Sequence, residues 1–141
     1  MSRLLAAARA SLDGALPATI STVDAAGVPN VSYISRVMYV DEEHVALSNQ
    51  FFRKTRANLE SNPHAMVMVV DPRDCRQFLL TLELEGSHTE GPVFDQLKAE
   101  VDSIATMTGM GDVFRLVSAD VFRVRACVAL PVEEEASADE P

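Results

Sequence analysis

The segment Arg53-Lys54-Thr55-Arg56 is where this sequence offers chemistry. Three cations fall within four residues, and Lys54 is one of only two lysines in the chain. The surrounding pattern predicts a helix over 53–62, stopped by Pro63. A helix N-terminus carries partial positive charge, so acids are favoured there and bases disfavoured. Arg53, Lys54 and Arg56 are misplaced by that rule unless an anion meets them. A phosphate or carboxylate would do so: the first-turn amides point at it, the helix dipole attracts it, and the cations close around it. Ser48, ending the preceding strand, and Thr55 add hydroxyl donors. The alternative is that the basic side chains fan into solvent or pair with Glu60. These residues by themselves leave the ligand unnamed.

The remaining reactive side chains are scattered. His44, His64 and His88 have no carboxylate at a suggestive spacing, and they read as surface or hydrogen-bonded histidines. Cys75 and Cys127 form neither a metal-ligand spacing nor a redox pair, which suits two reduced thiols. No Ser-His-Asp or Cys-His arrangement stands out, so no catalytic residue and no metal ligand is assigned. Any chemistry here would be a cofactor's. Tyr39, Met66 and Met68 read as packing residues, and Gly109-Met110-Gly111 is too short for a nucleotide loop.

These residues need a scaffold, and 141 residues suffice for one domain, expected over 1–131. Five acids crowd a tail at 132–141 that composition marks as disordered. Without them the formal charge of −9 falls to −4, from 12 cations against 16 acids. An acidic body argues against nucleic-acid binding. No apolar run reaches membrane-spanning length. The apolar start is short and interrupted by Arg9 and Asp13, which suits an amphipathic helix over 2–13 and a cytoplasmic protein. Strands are expected over 18–23, 31–40, 45–48, 65–70, 76–85 and 113–130, the last with a break near Ser118-Ala119-Asp120. A second helix is expected from Gly91-Pro92 to Thr106. Six short strands joined mostly by hairpin turns, with helices between, predict a mainly β protein: a six-stranded antiparallel barrel with flanking helices.

From Thr19 to Gln77 the chain resembles the pyridoxamine 5′-phosphate oxidase superfamily, the FMN-binding split barrels. The matching pieces are Thr22-Val23-Asp24 with Gly27 and Pro29; Ala46-Leu47-Ser48-Asn49; Arg53-Lys54 with the closing Asn62-Pro63; and Arg76-Gln77. The resemblance implies that Arg53, Lys54 and Ser48 grip the FMN phosphate beside Thr55. It implies that the backbone of Ser32, Tyr33, Ile34 and Ser35 lines the flavin ring near Leu47. Gln77 would meet the polar edge of the ring from a second subunit, in a homodimer with the cofactor at its interface. Two departures set this chain apart from the oxidases, which carry an Arg where Ser32 stands and a substrate-binding Lys where Val37 stands. The expectation is therefore a flavin-dependent oxidoreductase acting on a small substrate, not a genuine pyridoxamine-phosphate oxidase. The alternatives are a flavin sensor or electron carrier, or a barrel holding a deazaflavin or pyridoxal phosphate.

Overall fold

The computed structural model describes residues 3–12, 17–50, 53–109 and 115–130; the expected acidic tail lies outside them. The elements, in chain order, are α1 (Arg3–Leu12), β1 (Ala18–Val23), β2 (Pro29–Ile34), β3 (Val37–Asp41), β4 (His44–Asn49), α2 (Lys54–Ser61), β5 (His64–Val70), β6 (Gln77–His88), α3 (Pro92–Thr108) and β7 (Ser118–Leu130). The strands form one antiparallel sheet in the order β2-β1-β5-β6-β7-β4-β3. It curls around an apolar interior without closing, because β2 and β3 are its two edges.

The sheet has seven strands where six were expected. The stretch expected as one strand over 31–40 breaks at Ser35-Arg36. The N–H of Arg36 donates to Ser48 Oγ at 3.0 Å, and its carbonyl accepts from the Ser48 N–H at 3.1 Å. Those bonds redirect the chain from pairing with β1 to pairing with β4. Conversely, the expected break in the last strand is its start: β7 runs unbroken from Ser118.

Alternation fills the interior. Ile20, Ile34, Val45, Leu47, Val67, Val69, Phe78, Leu80, Leu82 and Phe122 form the core. Strand β4 is buried on both faces: Val45 and Leu47 point into the barrel, while Ala46 and Met38 pack under α3 against Leu97, Val101 and Ala119. Helix α1 is tied down by Ser11 Oγ, which donates to Asp71 Oδ2 at 3.4 Å, and by Arg9, whose guanidinium lies 4.0 Å above the Tyr39 ring. Arg36 joins three elements, donating to the Leu12 carbonyl and to Glu100 Oε1 of α3 at 2.7 Å.

The other face of β1, β2, β5 and β7 is uncovered. The register places Val23, Val31, Tyr33, Met66 and Val128 together on it. All five are exposed, Tyr33 most of all at 79%. A groove of about 240 Å³ runs along this face between Ser21, Val23, Met66 and Thr81.

Candidate functional site

Helix α2 starts at the basic segment. Arg53 is its N-cap residue and makes no side-chain cap, and no side chain among the described residues accepts from the first-turn amides. The helix is seated by its other side: Thr55, Asn58 and Leu59 are buried against the sheet. Asn58 Nδ2 donates to Thr22 Oγ1 at 3.0 Å. Thr55 Oγ1 lies 3.0 Å from Ser32 Oγ and accepts from Asn30 Nδ2 at 3.3 Å. Thr55 therefore locks the first turn of α2 onto edge strand β2.

The cations face outward. Arg53 is exposed and has no ion pair among the described residues. Lys54 Nζ lies 3.6 Å from Asp24 Oδ2, and Arg56 Nε lies 3.7 Å from Glu60 Oε1. Pairing with Glu60 was the bland expectation for this cluster, and for Arg56 it holds. Both contacts are long and involve exposed cations, worth about 0–1 kcal/mol each. Asp24 is engaged elsewhere, accepting the Ala26 and Val28 N–H groups at 2.9 Å in the β1–β2 turn. The Val28 bond, with Lys54 further down the order of causes, holds its carboxyl below the usual range. An anion at the start of α2 thus competes only with weak surface pairs.

A second hydroxyl group sits where β2 passes into β3. Ser35 Oγ and Ser48 Oγ are 3.1 Å apart, and Gln50 Nε2 donates to Ser35. Gln50 was not singled out from the sequence; only the fold carries it to Ser35. Ile34 and Leu47 are in the barrel core, whereas Tyr33 points from the opposite face. The remaining expected residue is Gln77. It pairs with Leu130 at one end of the 13-residue β7, while Asn49, beside Ser48, pairs with Ser118 at the other end. One chain does not bring Gln77 to the basic corner. Val37 is buried in the core.

His44 is hydrogen-bonded, as the sequence reading has it, but to two carboxylates that its spacing did not single out. Its Nδ1 is 2.8 Å from Asp41 Oδ1 and its Nε2 is 2.6 Å from Glu85 Oε1. Asp41 is local, but Glu85 arrives only through the sheet. The hydrogen bond to Asp41, opposed by burial and reinforced by Glu85, raises the His44 pKa. Both ring nitrogens face carboxylates, so the imidazolium is the form that suits the site. Arg123 closes the cluster on Glu85 at 3.3 Å and Glu43 at 3.1 Å. The sign follows from linkage: a raised native pKa stabilises the fold below the unfolded-state value near 6.5 and ceases to do so as pH rises through the native value. Chemical denaturation at pH 6 and pH 8.5 should show wild-type His44 contributing about 1 kcal/mol more at the lower pH, with the difference abolished in His44→Asn. Equal contributions at both pH values would show that folding leaves the His44 pKa unchanged. No group of three or more His, Cys, Asp or Glu among the described residues is arranged to hold a metal ion. No helix among them is long and apolar enough to cross a membrane.

Comparison with known proteins agrees with this fold. In solved structures, an FMN-binding protein from Syntrophomonas wolfei superposes with a TM-score of 0.78 at 23% identity, covering 93% of this chain and 88% of that one. An F420 reductase does so with a TM-score of 0.61 at 19% identity, over 85% and 94% of the two chains. HutZ, the haem storage protein from Vibrio cholerae, follows at 0.59 and 18%, over 91% and 95%. At these identities the likeness is one of fold. No curated protein matches the sequence. The family model for pyridoxamine 5′-phosphate oxidase matches residues 4–125, most of the chain. A barrel split between β2 and β3, with α2 packed against β1 and edge strand β2, is thus the form this sequence takes as a member of the pyridoxamine 5′-phosphate oxidase family.

Proposed function

We propose that the chain binds FMN, with the phosphate at the start of α2, and acts as a flavin-dependent oxidoreductase on a small substrate. The observation that carries this reading is the uncapped first turn of α2 with Arg53 and Lys54 exposed beside it. Amides without a side-chain cap, a positive dipole end and two outward cations make an anion site. The residues present fit the cofactor on one further point: Gln50 Oε1 is a buried acceptor with no hydrogen-bond partner among the described residues. When bound, FMN would supply the hydride chemistry that no side chain here provides. Arg53 and Lys54 would hold its phosphate, Ser48 and Thr55 would stand beside it, and the β2 backbone over Ser32, Tyr33, Ile34 and Ser35 would line the ring.

The proposal includes a homodimer joined through the uncovered sheet face. Exposed apolar patches of this kind mark interaction surfaces. Gln77 lies on the same face as Tyr33 and Met66. It makes no hydrogen bond to the basic corner among the described residues, and a second copy docked on this face would carry its own Gln77 toward the cofactor. Buried Val37 offers no cation to a substrate phosphate, which favours a substrate other than pyridoxamine phosphate. Because one structural neighbour is an F420 reductase, a deazaflavin is the second reading. A haem reading lacks support: His44 is held by two carboxylates, and His64 and His88 are exposed on strands.

An absorption spectrum of purified protein titrated with FMN tests the reading. Bound flavin should show shifted bands and quenched fluorescence, and anaerobic addition of NADH or NADPH should bleach them. A protein that ignores FMN but takes up F420 supports the second reading, and one that ignores both removes the flavin assignment.

A further inference from the structure

We propose that Gln50 is a further cofactor-binding residue: its amide oxygen accepts a hydrogen bond from an N–H or O–H group of the ligand. The inference rests on the flavin reading above. At the end of β4 the Arg36 N–H donates to Ser48 Oγ, and the Ser48 hydroxyl has the Arg36 carbonyl within reach at 3.2 Å. With the single Ser48 proton on that carbonyl, Ser35 donates across the 3.1 Å contact between the two hydroxyls and accepts from Gln50 Nε2. The amide nitrogen faces Ser35, and the amide oxygen points away from it.

The consequence is at the other end of the amide. Gln50 Oε1 is buried and has no hydrogen-bond partner among the described residues. A buried acceptor without a donor loses its hydration and regains nothing, so such groups are rare away from functional sites. Gln50 sits between Ser48 and Arg53 in sequence, and its partner Ser35 lies at the end of the strand proposed to line the ring. A flavin nucleotide carries two kinds of donor that would satisfy it, the ribityl hydroxyls and the imide N–H of the ring. The side chain is preorganised by Ser35, so the ligand need not order it.

The test compares wild type with Gln50→Leu and Gln50→Met, two apolar variants of similar size. Each is titrated with FMN by fluorescence quenching, and the spectrum of the bound flavin is recorded. Thermal melting of the ligand-free proteins confirms that at least one variant is folded. The expected result is FMN affinity lower by about tenfold, the loss of one hydrogen bond. A loss with unmoved flavin bands places the donor on the ribityl chain, and a loss with shifted bands places it on the ring imide. FMN affinity within twofold of wild type in a folded variant overturns the proposal. Absence of FMN binding by wild type is a different outcome, because it sinks the flavin reading itself and this inference with it.

Discussion

Changing Arg53 and Lys54 together to Ala is expected to lower FMN affinity by about 100-fold while leaving the ligand-free protein as stable as wild type. Hydrogen bonds to charged groups are worth about 1.5–3 kcal/mol each, and two such bonds to an exposed phosphate fall near the lower end, at about 3 kcal/mol in all. The ligand-free fold should hardly notice. The change removes a long surface contact between Lys54 and Asp24, but it also removes cations from the positive end of a helix, where they are disfavoured. Thermal melting checks that half of the expectation. Riboflavin, which lacks the phosphate, is the control for the other half: its affinity should be the same in wild type and variant. An equal loss for riboflavin and FMN would mean that the two cations act on the ring or on folding. No loss for either would put the phosphate elsewhere.

The second large effect concerns the uncovered sheet face. Introducing charge there, as Val31→Asp with Tyr33→Glu, is expected to convert a dimer into a monomer on light scattering. Both side chains point away from the core, at 64% and 79% exposure, so circular dichroism should still report a folded barrel. A central aromatic anchor contributes about 2 kcal/mol or more to an interface, and carboxylates buried in its place cost further. A shift of at least 100-fold in the dimer dissociation constant follows. FMN affinity should fall with it, because Gln77 would no longer reach the cofactor of the other copy. A wild-type monomer that binds FMN tightly would refute both the dimer and the borrowed Gln77. A variant that stays dimeric would move the interface to another face.

What the sequence by itself determined is largely local. Arg53, Lys54 and Arg56 at a helix start violate a first-turn preference, and that violation is visible without coordinates. Alternation over 76–85 puts Phe78, Leu80, Leu82 and Leu84 on one face, because strand period is a local property; the first three are buried in the core and Leu84 packs partly against it. Asp24 and Gly27 marked the first turn, where Gly27 adopts a φ of 80°.

The tertiary structure decided what depends on pairing between distant segments. The break at Ser35-Arg36 has no Gly, Pro, Asn or Asp to announce it; Ser48 captures the backbone of Arg36 there. Of the two carboxylates on His44, Asp41 is a near neighbour in sequence, but Glu85 is distant and adjacent only across the sheet. Nothing in the sequence singled out Gln50; only the fold sets its amide nitrogen on Ser35 and leaves its oxygen bare. In each case the deciding partner arrives by strand order, which the residues on either side do not encode. A chain writes its turns and faces in neighbouring residues, but a hydrogen bond across a barrel is fixed only when the whole sheet has formed.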